Sequence, residues 1–186
     1  MPTQGPSVDQ LVLDQLARTE IDARVEGAIA SLGEAGEAAL LRVARGEVAA
    51  ADRYQRGNAV YLVGRRAAKG ASAELARLLD RETVPRVRLS IVTALGRIGD
   101  AGARTALVRL LQNATADRHE HIYALEGLAG AGAVDEIAAL EALQIDASFP
   151  PLETRRREAL EAIRKRQSPQ KTATKGPAAA GPTQKD

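Results

Sequence analysis

The sequence predicts an all-α fold, a short solenoid of about four stacked helix pairs with a capping helix at each end. Three observations carry this. The core-forming residues are aliphatic, apolar positions recur at helical spacing, and one two-helix pattern returns every 30 to 38 residues.

Of the 186 residues, 45% are hydrophobic but only 2% are aromatic, namely Tyr54, Tyr61, Tyr123 and Phe149. A core of Ala, Leu, Val and Ile suits packed helices and argues against a sandwich or barrel. A chain of this length buries roughly 70% of its unfolded surface, so it needs neither disulfide nor metal to fold. The absence of cysteine excludes disulfides, thiolate nucleophiles and sulfur-ligated zinc. No apolar run near Met1 resembles a signal peptide. No stretch approaches the roughly 18 apolar residues of a bilayer span. A cytoplasmic location and no membrane partner are therefore expected.

Charge divides the chain. Residues 1–154 hold 17 basic and 21 acidic side chains, and residues 155–186 hold 9 and 3. Residues 167–186 contain no Val, Ile, Leu, Met or aromatic residue, so they cannot offset their ordering entropy by burial. They are expected to be a disordered basic tail rich in Pro, Ala and Lys. Residues 1–6 are expected to be a disordered N-terminus, leaving 7–166 as the folded domain.

The clearest unit runs from Val87 to Leu111. Val87, Ile91, Ala94, Leu95 and Ile98 form one helical stripe, with Pro85 where a helix start accepts proline. Gly99, Asp100 and Gly102 interrupt it, and Asp100 is placed to cap a second helix carrying Leu107, Leu110 and Leu111. The pattern returns three times. In 21–44 the stripe is Ile21, Val25, Ala28, Ile29 and Leu32, the break Gly33 and Gly36, and the second helix carries Leu40 and Val43. In 53–79 it is Ala59, Val60 and Val63, then Gly64 and Gly70, then Leu75, Leu78 and Leu79. In 118–143 it is Ala124, Leu125 and Leu128, then Gly130 and Gly132, then Ile137, Leu140 and Leu143. A half unit at 152–166 carries Ala159, Ala162 and Ile163 and forms a charged end cap. Ser7 and Gln10 form a capping-box pattern ahead of an N-terminal cap helix with Leu11, Val12 and Leu16.

The run VPRVRLSIVTALGRIGDAGARTALVRLL resembles a HEAT repeat of the short bacterial, PBS-lyase-like kind. The resemblance covers roughly residues 20–165 and is loosest in the second unit, where Arg56 replaces a stripe residue. It implies a right-handed stack of antiparallel helix pairs and, most often in the family, a role in holding other macromolecules rather than one reaction.

Two sets of arginines recur. Arg53, Arg88, Arg118 and Arg156 each precede the stripe alanine by six residues. They are expected to be structural, bonding turn carbonyls or nearby acids. Arg42, Arg77 and Arg109 each follow the second-helix anchor by two residues and point off the core. Second helices line the concave face of such solenoids, so these three form a candidate binding row, broken by Ala139 in the fourth unit. Guanidinium forks at about 10 Å helix spacing suit carboxylate or phosphate. A third set is the basic end, Arg155, Arg156, Arg157, Arg164, Lys165 and Arg166. It reads as a nucleic-acid arm or as a solvated cap, and Glu158 and Glu161 interrupt it.

No catalytic constellation emerges. His119 and His121 face nearly opposite sides of a helix and cannot share a metal, and His121 is expected to be a partly buried packing residue. HEAT-repeat deoxyhypusine hydroxylases bind iron with four His-Glu pairs. This chain has one, His119-Glu120, with Tyr54-Gln55, Leu89-Ser90 and Arg157-Glu158 at the matching positions. Gly130-Ala131-Gly132 lacks the strand and the Gly-Lys-Ser/Thr of a phosphate loop. No metal or cofactor is expected, and the chain is not expected to be an enzyme; a bilin-lyase-like activity is the weaker enzymatic alternative. The function expected is a protein-binding adaptor, scaffold or regulatory subunit whose concave face meets an acidic partner. Nucleic-acid binding through the arginine row and tail is the alternative. Neither oligomeric state nor partner identity follows from the sequence.

Overall fold

A computed structural model describes residues 5–18, 20–67, 70–146 and 148–167. These residues form ten α-helices and no strand. The helices are α1 (Val8–Leu16), α2 (Ala23–Ala30), α3 (Gly33–Arg45), α4 (Arg53–Arg66), α5 (Ala71–Arg81), α6 (Pro85–Ile98), α7 (Ala101–Gln112), α8 (Arg118–Ala131), α9 (Ile137–Glu141) and α10 (Pro150–Gln167). The 3₁₀ turn Val134–Glu136 leads into α9. The expected tail lies outside the described residues except for Gln167, which ends α10. Of the expected disordered N-terminus, residues 1–4 also lie outside.

Short polar residues cap five of the helices, α1, α2, α4, α7 and α8. Asp22, Asp52, Asp100 and Asp117 accept backbone N–H groups at the starts of α2, α4, α7 and α8. Asp52 and Gln55 form a complete capping box, with bonds of 2.8 and 2.9 Å. Such caps contribute about 1 kcal/mol each. At α1 half of the expected box forms. Ser7 accepts from the Gln10 N–H, but the Gln10 amide turns outward to donate to Asp14 at 2.8 Å. Pro85 opens α6, and Gly99 closes it in the left-handed region at φ +63°.

The helices make two layers. α4, α6, α8 and α10 stack in one, and α3, α5 and α7 lie in the other with the short α9. Each of α3, α5 and α7 packs more extensively on the helix that follows it than on the one before. The pairs are therefore α3–α4, α5–α6, α7–α8 and α9–α10, one helix later than the glycine turns suggested. Glycine breaks had defined the expected pairs; the extent of helix contact defines these.

The stripe residues Val25, Ile29, Val60, Val63, Val87, Ile91, Leu95, Leu125, Leu128 and Ile163 are buried in one continuous core. Several expected breaks are helical instead. Gly36 lies inside α3, Gly64 inside α4 and Gly130 inside α8. Gly64 and Gly96 serve close packing. A Cβ at Gly64 would stand 2.5 Å from the Cβ of Ala94, and one at Gly96 would stand 2.8 Å from the Cα of Gly127. No side chain fits there, so α4, α6 and α8 approach more closely than α3, α5 and α7. A two-layer stack bends toward its closer-packed layer, which makes α4, α6, α8 and α10 the inner one.

At the N-terminal end, α1 and α2 together do the work of one inner helix. The α1 carbonyls of Leu13 and Leu16 accept from Gln55 and Asn58 in the first half of α4, at 3.1 and 3.0 Å. Glu26 of α2 binds the last turn of α4, its carbonyl accepting from Arg66 at 2.9 Å and its carboxylate pairing with Arg65 at 2.8 Å.

Candidate functional site

Buried ion pairs link one repeat to the next. Arg88 on α6 donates to both carboxylate oxygens of Glu120 on α8 at 2.6 and 2.8 Å, and to the carbonyls of Leu79 and Glu82 at 2.8 and 2.9 Å. Arg104 bridges Glu136 at 3.0 Å and the Gly99 carbonyl at 2.9 Å. Arg56, the residue that interrupts the second stripe, pairs with buried Glu82. Glu82 also accepts the N–H groups of Thr83 and Val84, fixing the turn into α6. Arg45 pairs with Glu74 at 2.6 Å. The Arg45 and Arg77 guanidiniums hold the Glu74 carboxyl below the usual glutamate range.

The expected structural arginines divide. Arg88 holds turn carbonyls and an acid. Arg156 donates to the Leu143 carbonyl at 3.1 Å and pairs with Glu153. Arg118 pairs with Asp146 at 2.7 Å and lies over the Phe149 ring. Among the described residues Arg53 meets no turn carbonyl; it lies over the exposed Tyr54 ring at 5.1 Å. Glu120, half of the lone His-Glu pair, is 3% exposed and bound by Arg88, whereas His119 faces solvent. The His121 ring nitrogen Nε2 lies 3.2 Å from the carbonyls of both Leu110 and Asn113, at the end of α7. Among the described residues no three His, Asp or Glu side chains group as a metal site.

The row Arg42, Arg77 and Arg109 lies on α3, α5 and α7, the more widely spaced layer, rather than on the inner one. Each guanidinium meets a carboxylate: Asp9 at 2.5 Å, Glu74 at 2.6 Å and Asp80 at 2.8 Å. Arg77 and Arg109 remain largely exposed. Of the basic end, Arg155 pairs with Glu126 and Glu158, Arg156 with Glu153 and Arg164 with Glu141. Arg166 donates to the carbonyls of Ala129 and Gly132. Arg157 and Lys165 are exposed on α10.

The inner layer carries a different surface, one the sequence reading did not single out. A groove of about 640 Å³ crosses α4, α6 and α8, lined by Gly57, Asn58, Tyr61, Arg86, Leu89, Ser90, Thr93 and Tyr123, with Ile21 at one end. The lining contains no carboxylate. The three tyrosines lie on this side of the stack. Tyr61 and Tyr123 line the groove, and Tyr54 sits beside it under Arg86. Tyr54 and Tyr123 are 48% and 42% exposed. The pattern that could have found this face is the seven-residue step from Tyr54 to Tyr61, which places both rings on one side of α4.

A stack of helix pairs joined repeat to repeat by buried contacts, with an open groove on its inner layer, defines an α-solenoid. Residues 38–126, from α3 into α8, match the family model described as HEAT repeats, and the span is a HEAT-repeat array. No curated protein matches the chain. Among the described residues no helix is long and apolar enough to cross a membrane.

Proposed function

We propose that the protein is a non-catalytic protein-interaction module, an adaptor or regulatory subunit that holds an acidic partner on its inner face. The observation that carries this is the groove across α4, α6 and α8. It mixes two tyrosine rings and aliphatic side chains with the Arg86 guanidinium and holds no carboxylate, the composition of a binding surface. Its walls are helices locked to their neighbours by glycine contacts and buried ion pairs, so binding proceeds with little rearrangement. HEAT repeats are commonly protein-interaction modules, in keeping with this reading. The exposed outer arginines, above all Arg77, are a second candidate contact.

The test is affinity capture from native lysate, with nuclease, comparing the wild type with Leu89→Asp. A stoichiometric protein retained by the wild type and lost by the variant, at equal helicity, is the expected result. A catch that vanishes with nuclease would move the assignment to nucleic acid.

A further inference from the structure

Two arginine–tyrosine stacks border the groove, each contributing one lining residue, Arg86 to one and Tyr61 to the other. The Arg86 guanidinium lies 4.5 Å from the centroid of the Tyr54 ring, and Arg97 lies 4.6 Å from that of Tyr61. Arg53 flanks the first stack and Arg65 the second, at 5.1 and 5.9 Å. Arg65 is already held by Glu26. Arg53, Arg86 and Arg97 pair with no carboxylate among the described residues. This sets them apart from Arg42, Arg77 and Arg109, each of which meets a carboxylate, Arg77 sharing Glu74 with Arg45.

A guanidinium over a ring still has N–H groups to offer an anion, in the fork geometry that suits a carboxylate, although Arg97 also meets the Tyr61 phenol oxygen. The ring also fixes the long side chain, so less entropy is lost when an anion binds. Tyr54 and Tyr61 are seven residues apart on α4, a rise of about 10 Å. An extended chain advances about 3.3 Å per residue, so three residues cover that distance. Between the stacks the groove floor is small and polar, formed by Gly57, Ser90 and Thr93.

Resting on the interaction-module reading, we infer that the groove takes an extended acidic protein segment with two carboxylates about three residues apart, one gripped at Arg86–Tyr54 and the other at Arg97–Tyr61. A peptide is favoured over nucleic acid because the uncompensated charge is local. Residues 1–154 as a whole are net acidic, which repels a long phosphate backbone.

The test uses the full chain with ¹⁵N-labelled arginine and a ten-residue Gly-Ser peptide bearing two aspartates three residues apart. The Nε–Hε signals of Arg86 and Arg97 are expected to shift on titration while those of Arg42, Arg77 and Arg109 stay. The double variant Arg86→Gln with Arg97→Gln is expected to weaken binding about tenfold or more at unchanged helicity. A peptide with its aspartates adjacent should bind more weakly than the spaced one. Three results would overturn the inference: shifts confined to Arg42, Arg77 and Arg109, equal binding of the two peptides, or tighter binding of a ten-residue oligothymidine. If no peptide binds while the nuclease-resistant partner is still captured through Leu89, the two-clamp assignment fails and the interaction module stands.

Discussion

Arg88 and Glu120 stand thirty-two residues apart, one repeat, and meet through two N–H···O bonds inside the stack. Glu120 is 3% exposed. A buried pair of this kind need not be worth more than an apolar pair, but breaking it strands a charge. Glu120→Ala is expected to destabilise the protein by about 3–5 kcal/mol, read as a lower denaturant midpoint. Replacing both residues, Arg88→Met with Glu120→Leu, should recover part of that loss. A full loss in the double variant would contradict this account.

The glycine contacts predict opposite signs for one substitution at two sites on α8. A Cβ at Gly127 would stand 2.8 Å from the Gly96 Cα and 3.2 Å from Leu107, whereas one at Gly130 meets nothing within 4 Å. Gly127→Ala should therefore cost about 1–3 kcal/mol by forcing α6 and α8 apart. Gly130→Ala should gain about 0.5–1 kcal/mol, because alanine loses less backbone entropy in a helix. Thermal melts of the two variants decide it.

Tyr61 should ionise early. The Arg97 and Arg65 guanidiniums stabilise its phenolate and hold its pKa below the usual tyrosine value. Alkaline titration followed by phenolate absorbance should show this in the wild type. Arg97→Gln should move the Tyr61 transition back up; an unmoved transition would mean that Arg97 does not hold this ring in solution.

Glu74 gives a prediction at low pH. Its folded pKa lies below its unfolded value because Arg45 and Arg77 donate to it. Its contribution is therefore complete above the ordinary glutamate range and is lost as pH falls through the lower, folded value. Glu74→Gln should flatten the fall in stability over that acidic window and lower stability at neutral pH. Denaturant midpoints measured from neutral pH down to the acid transition would reveal it.

Much of the fold was legible because stripes and caps are local. Asp100, Pro85 and the Val87–Ile98 stripe each lie within one turn of what they determine. The helix pairing was less legible. A glycine at a helix contact and a glycine in a turn look alike in sequence, as Gly64 and Gly99 show, and only the neighbouring helix tells them apart. The ion pairs were hidden for a related reason. Glu82, Glu120 and Glu136 lie 26 to 32 residues from Arg56, Arg88 and Arg104, a repeat spacing rather than a helical one. The groove was missed because which layer faces inward depends on Gly96 meeting Gly127. Arg42, Arg77 and Arg109 were legible as a row, but their carboxylates lie on other helices or a turn away.

The buried pairs have one more consequence. In a linear array each unit touches only its neighbours, and the molecule melts piecemeal unless the couplings between units are strong. Here, peeling α8 from α6 uncovers Glu120, and peeling the Val134–Glu136 turn from α7 uncovers Glu136, each carboxylate parting from the guanidinium that held it. Partly frayed forms are thus penalised more than the intact or fully open chain. Amide exchange across α4, α6 and α8 should accordingly occur by one shared opening, at a single free energy, rather than in a gradient from the ends.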